Sequence, residues 1–241
     1  MNINGIEIRI NRKKIKNLHL YVKPPDGHVE ISAPLEISEQ ALELFARTRL
    51  SWIRRQKEKF VQQPRQTERQ YVSGETLYLW GKKYFLSVRY SNKGNALVLI
   101  GDRAFLTVRK ESTPKQRENY VNGWYREVLK LEIEKRLPEL EESSGLHCNS
   151  WRVKYMTTRW GTCNTVTKTI WLNLQLAKKP LACLDYIILH ELVHLCTREH
   201  SERFTATMDQ LMPYWREIRN QLNGQILDYM KDGNEENQKK K

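Results

Sequence analysis

The sequence predicts an α+β protein, a β-rich N-terminal region followed by a helical C-terminal domain built around one buried helix. Three observations predict it. Apolar residues alternate with polar ones at period two over Ile6–Ile31 and again over Thr76–Val108, turn residues punctuate both stretches at hairpin spacing, and from Pro114 the apolar spacing becomes helical. A chain of 241 residues, 39% hydrophobic and 29% charged, is long enough to bury a core and too apolar for general disorder.

The elements follow in order. Ile6, Ile8 and Ile10 share one strand face, as do Leu18, Leu20 and Val22, then Val29 and Ile31. Lys23-Pro24-Pro25-Asp26-Gly27-His28 reads as a hairpin connection. Ser38 caps a single expected helix carrying Leu42, Phe45, Trp52, Ile53 and Phe60 on one face and Arg47, Arg54, Arg55 and Lys57 on the other. The polar stretch Gln62 to Gln70, with Pro64, reads as a linker. Two hairpins follow, Thr76–Trp80 with Tyr84–Tyr90 around Gly81, and Ala96–Ile100 with Phe105–Val108 around Gly101. No internal repeat shows beyond that hairpin rhythm.

Thr113 and Pro114 open a helix whose stripe, Val121, Trp124, Tyr125, Val128 and Leu137, is expected to end at Pro138, leaving Glu139–Gly145 as a loop. Strands are expected at Trp151–Thr157 and Thr169–Leu176, with Gly161 between them. Pro180 opens a helix to about Leu195, Ser201 a second and Pro213 a third. The tail from Lys231 is charged and expected to be disordered.

Bulk properties exclude several classes. No run of 18 apolar residues exists, which rules out a membrane-spanning helix, and the N-terminus lacks the apolar core of an export signal. Cys148, Cys163, Cys183 and Cys196 form no Cys-x-x-Cys pair and read as reduced thiols of a cytoplasmic protein. Gly74 and Gly81 are too far apart for a Walker A cradle. The net charge of +13 favours encounter with polyanions and leaves weak non-specific nucleic-acid binding open beside a solvated basic surface without a partner; no membrane partner is expected.

The informative stretch is His190-Glu191-Leu192-Val193-His194, followed by His200. Residues four apart on a helix differ by about 40° in azimuth, so His190 and His194 share a face and can reach one cation. Glu191 stands beside that pair, placed to take a proton from a metal-activated water as the catalytic base. A turn around Cys196–Glu199 would fold His200 back as a third ligand, and three imidazoles with one open position describe a catalytic zinc site. Leu184, Ile187, Ile188, Leu189, Leu192 and Val193 make this helix apolar nearly all round, and a bound cation offsets much of the cost of burying its polar groups. A chance His-Glu-x-x-His should arise on the order of once in a hundred such sequences.

The His190, His194, His200 spacing equals that of the metzincins, but Thr197 occupies their glycine position. A closer pattern surrounds it. Tyr155-Met156-Thr157-Thr158-Arg159-Trp160-Gly161-Thr162-Cys163 resembles the Arg-Trp-Gly-Ser-Cys signature of the YgjP-like metal-dependent hydrolases, also called YgjP-like metallopeptidases and related to the SprT and WLM groups. The similarity runs on through Leu172-Asn173, Pro180, Asp185-Tyr186-Ile187-Ile188, His200-Ser201-x-x-Phe204 and Pro213, and is strongest over residues 155 to 222. Two positions depart from the pattern: Glu199 stands for the usual Asn and Thr205 for Trp.

The resemblance implies a zincin-like domain holding Zn2+ on His190, His194 and His200, with Glu191 as base. Residues 1–70 are then N-terminal hairpins plus a helix, 71–112 a hairpin region, 113–230 the zincin-like domain and 231–241 the tail. The expected activity is zinc-dependent hydrolysis of a peptide or protein substrate. One alternative at the same site is a nucleoside triphosphate pyrophosphatase acting on a phosphoanhydride, and another, of a different class, a basic nucleic-acid-associated binding module. Arg159 and Asn173 are the candidate substrate-binding residues, and the strand Thr169–Leu176 is a candidate to pair with an extended peptide.

Overall fold

The computed structural model describes residues 1–23, 27–62, 69–156 and 159–224. The expectations at Pro24–Asp26, Gln63–Glu68, Thr157, Thr158 and the tail from Lys231 lie outside them. The chain divides into two units, Met1–Glu68 with Ile226–Lys241 and Arg69–Gln225, and each is described by itself.

In the first unit, β1 (Asn2–Ile3) turns into β2 (Ile6–Lys13), and β3 (His19–Lys23) pairs antiparallel with β4 (His28–Pro34). Asn4 and Gly5 both take positive φ, 49° and 79°, as the two-residue turn between β1 and β2 demands. The long-range step is the parallel pairing of β2 with β4, which gives the strand order β1-β2-β4-β3. Ile8, Val29 and Ile31 then share one buried face with Leu42 and Ala46 of α1 (Glu39–Arg47) and Ile53 of α2 (Leu50–Gln62).

The single helix expected from Ser38 is therefore two. Ser38 caps α1 through its hydroxyl. At the other end the Thr48 hydroxyl donates to the Phe45 carbonyl at 3.0 Å, a local bond that competes with the helical ladder. Apolar periodicity carries straight across such a break, which is why the pattern hides it.

The second unit repeats the scheme. Hairpin β5 (Thr76–Leu79)–β6 (Lys82–Tyr90) and hairpin β7 (Ala96–Ile100)–β8 (Arg103–Val108) join through a parallel β6–β8 pair, in the order β5-β6-β8-β7. Strand order and directions match those of β1 to β4, a repeat that the residues do not announce. Leu77, Leu86, Leu97 and Leu106 face α3 (Pro114–Ser144), which presents Val121, Tyr125, Leu129, Ile133 and Leu137 at four-residue intervals. One core thus draws on both the hairpin region and the helices that follow it.

Thr113 and Gln116 form a reciprocal capping box at the start of α3, with Pro114 at the first helical position. The expected stop at Pro138 does not occur. The proline forfeits one ladder bond, but Leu137 and Leu140 keep the next turn packed, and the helix runs on until Gly145 ends it in the left-handed region, φ 67°.

Beyond α3, β9 (Ser150–Lys154), β10 (Gly161–Asn164) and β11 (Thr169–Asn173) make a small sheet in the order β10-β11-β9. A 3₁₀ turn, Leu174–Lys178, leads to α4 (Leu181–Val193), and α5 (Glu202–Leu211) and α6 (Trp215–Gly224) complete the unit. Arg136 of α3 grips both carboxylate oxygens of Asp185 on α4, at 2.8 and 2.9 Å, and also Glu132. Burial pushes the Asp185 carboxyl up, with Arg136 pulling against it, so the pair ties the two helices together at a half-buried contact. Among the described residues no helix is long and apolar enough to cross a membrane.

The turn between β5 and β6 meets the start of α4. Trp80 N–H donates to the Ala177 carbonyl at 2.9 Å, and a Cβ on Gly81 would stand 2.9 Å from Pro180 Cγ and 3.3 Å from its backbone nitrogen. Gly81 also needs φ 80°. Gly81→Ala is expected to cost about 2–3 kcal/mol in a denaturant titration, against about 1 kcal/mol for Gly101→Ala, which shares the backbone strain but has open space. Equal losses would show that the contact with Pro180 contributes nothing.

Candidate metal centre

The site begins with the way α4 ends. His190 and Glu191 lie in its last turn and His194 is the residue that closes it. The chain then tightens, with Leu195 N–H on the Leu192 carbonyl and Cys196 and Thr197 N–H on the Val193 carbonyl, before Ser201 caps α5. This turn returns His200 to the helix end. His200 Nε2 stands 3.1 Å from His190 Nε2, and the ligating atoms of His190, His194 and His200 all lie within 4.8 Å of one another.

All three rings pack on Phe204, their centroids 4.9, 5.0 and 4.7 Å from its own. Phe204 is fully buried on α5, so it is a rigid floor that fixes the azimuth of each imidazole. Sequence reasoning saw Phe204 only as part of a motif. The one available signal was its place in the first turn of the helix that follows His200.

Hydrogen bonding sets one tautomer outright. His194 Nδ1 lies 3.0 Å from the Thr197 carbonyl, which can only accept; Nδ1 therefore carries the proton and Nε2 keeps its lone pair for a ligand. Thr197 is buried, at the position where a metzincin would have glycine, and its backbone carbonyl is what serves the site.

Electrostatics favour neutral rings. Burial, then the neighbouring His194 and His200, push the His190 imidazolium down to about 3. His200 is lowered too, by burial and then His194. A cluster of imidazoles with converging nitrogens is a metal-binding donor set. At about 2.0–2.1 Å from a common tetrahedral ion, two nitrogens stand roughly 3.4 Å apart, close to the His190–His200 separation.

Glu191 is buried at 4% exposure and lies against the backbone of β10. A Cβ on Gly161 would sit 2.5 Å from its Oε1 and 2.8 Å from its Cγ, so only glycine leaves the carboxylate its place. Burial raises the Glu191 carboxyl to about 8, and the charge of Arg159 pulls the other way. Arg159 itself is exposed. Asn173 is buried: its amide donates to the carbonyls of Met156 and Arg159 at 2.9 and 2.7 Å, and its oxygen accepts from Met156 and Gln175 N–H at 3.3 and 3.1 Å.

The expected pairing of Thr169–Leu176 with a peptide is corrected by the sheet. β11 is the central strand, hydrogen-bonded to β10 and β9, and from Leu174 the chain is already helical. Among the described residues the free edge that packs on α4 belongs to β10, a strand too short and too polar to announce itself. Burial keeps the nearby Cys163 thiol protonated, raised to about 11, so it packs rather than reacts.

No curated protein matches the chain. The chain is similar to the crystal structure of the metallopeptidase zymogen of Pyrococcus abyssi abylysin, with 21% identity, 41% of this chain and 99% of that chain covered, and a TM-score of 0.37. The Methanocaldococcus jannaschii jannalysin zymogen, also a metallopeptidase, gives 24% identity, 38% and 93% coverage, and a TM-score of 0.34. The profile of the YgjP-like metallopeptidase domain matches residues 16–225. With nearly its whole length inside that profile, the chain belongs to the YgjP-like family and is a hydrolytic enzyme of the metal-dependent peptidase kind.

Proposed function

We propose that the protein is a zinc peptidase of zincin-like architecture, with the ion on His190, His194 and His200 and Glu191 as general base. The observation that carries this reading is the convergence of the three imidazole nitrogens beside a buried, glycine-backed carboxylate. A zinc ion bound there supplies Lewis acidity to a substrate carbonyl and an acidified water.

The chain supplies the rest. Glu191, buried and held against Gly161, takes the proton of the attacking water and later passes it to the leaving amine. The exposed Arg159 guanidinium faces Glu191 electrostatically and meets the substrate at the same loop. Asn173, with four hydrogen bonds already made, acts as a positioning residue that fixes the backbone of Met156 and Arg159. An extended peptide pairs with the open edge of β10.

The test couples metal analysis to a screen of peptides and nucleoside triphosphates. One zinc per chain and peptide cleavage are expected. Glu191→Gln keeps the metal and loses about 10²–10⁴ in rate, whereas His190→Ala loses the metal. Nucleotide hydrolysis that vanishes in Glu191→Gln, with no peptide cleaved, would overturn the substrate class. Full activity in His190→Ala would overturn the site.

A further inference from the structure

The four-stranded sheet of the second unit has one face in the core and one in solvent, and the solvent face has its own chemistry. Not one residue of β5 to β8 is acidic. Outward from the two central strands point Lys83, Phe85 and Arg89 of β6 and Arg103 and Phe105 of β8, the alternates of the buried Leu86, Ala104 and Leu106. Phe85 is 48% exposed, an unusual setting for a phenylalanine in a rigid strand.

Register places the two rings diagonally. Phe85 pairs with Arg103 and Ser87 with Phe105, so the phenylalanines are about 7–8 Å apart on neighbouring strands. Cations interleave them: Arg89 lies over the Phe105 ring at 3.9 Å and Lys83 Nζ lies 4.9 Å from the centre of Phe85. We propose that this face, through Phe85 and Phe105 on adjacent central strands flanked by Lys83, Arg89 and Arg103, binds single-stranded nucleic acid.

The exposed Phe85 ring accepts one base, a second stacks on Phe105 once the Arg89 guanidinium leaves that ring's face, and the cations so displaced meet the phosphates. A second copy of the chain is a poor occupant, since a two-fold contact would bring this acid-free, basic face against itself. Duplexes bury their base faces and offer the rings nothing to stack on. The peptidase site takes no part, so this inference goes beyond that reading and stands or falls without it.

The experiment is fluorescence anisotropy of the full chain with a labelled single-stranded oligonucleotide and the matching duplex, over a salt series. Single strands are expected to bind more tightly than duplex. Phe85→Ala should weaken single-strand binding about 5- to 150-fold, from about 1–3 kcal/mol per stacked base, with duplex binding unchanged. Arg103→Ala should lower the salt slope by about 0.7. Tyr214→Ala, an aromatic exposed elsewhere, and Glu191→Gln should change neither. Phe85 is exposed, so its variant tests binding rather than folding. Equal affinity for duplex, or the same small change in Phe85→Ala and Tyr214→Ala, would reduce the face to a generic basic surface. A polyglutamate chain that displaces the oligonucleotide as well as unlabelled single strand does would assign it to an acidic polypeptide instead. Either result overturns the proposal.

Discussion

The Gly161→Ala protein is expected to fold and bind its metal yet lose about 10²–10⁴ of its hydrolytic rate. Gly161 is outside the left-handed region, so alanine meets no backbone penalty there. The three heavy atoms nearest the added methyl all belong to Glu191, 2.5 Å to Oε1, 2.8 Å to Cγ and 2.9 Å to Cδ. A long side chain yields before a strand backbone does. The carboxylate therefore swings away from the histidines, and the rate falls by the factor a positioned base contributes. Metal content and melting temperature serve as controls and should match the wild type closely. An alanine variant within threefold of wild-type turnover would mean that Glu191 does not act from this position.

The second large effect appears when the metal is stripped and stability is followed against pH. Glu191 has its folded pKa raised from 4.5 to about 8, so its contribution is fully present below about pH 4.5 and is lost as pH rises through 8. His190 is depressed from 6.5 to about 3, and its contribution, present above 6.5, is lost as pH falls through 3. Between pH 4.5 and 6.5 the two slopes cancel. The metal-free protein should show a plateau there, then lose about 1.4 kcal/mol per pH unit on either side, about 2 kcal/mol by pH 8. His200, lowered in the same sense as His190, adds a loss on the acid side of pH 6.5 and tilts the plateau in that direction. Glu191→Gln should abolish the alkaline limb and, with nothing left to cancel the His190 slope, extend the acid limb up to about pH 6.5. Urea titrations at pH 5.5, 7 and 8 decide it: parallel behaviour of the two proteins would show that burial does not tax the Glu191 charge.

Local chemistry in this chain was readable, and long-range pairing was not. The Thr113–Pro114 start, the Ser38 and Ser201 caps and the turns at Gly81 and Gly101 rest on hydrogen bonds and φ values within a few residues, and each left its residue type in the sequence. The parallel β2–β4 and β6–β8 pairings link positions that share no such mark, and with them went the common plan of the two sheets. Pro138 was a true local signal outvoted by tertiary packing. At the candidate site, the clustering of His190, His194 and His200 was legible because their spacing brings them to one helix end. Gly161 and Phe204 act by shape, one by what it lacks and the other by filling a floor, and shape is not spelled in a single sequence.

Two sheets with one blueprint in a single polypeptide create a hazard during synthesis, because strands of either can dock in the slot of the other. Exchange of that kind is a known failure of chains with repeated parts. Here the interiors are keyed differently. Side chains branched at Cβ, on Ile8, Val29 and Ile31, fill the first, while Leu77, Leu86 and Leu106, branched at Cγ, fill the second, so a swapped strand brings the wrong side-chain outline to a close-packed seat. Divergence of the two interiors thus acts as a lock on correct assembly, and grafting the leucine set into the first sheet would remove it.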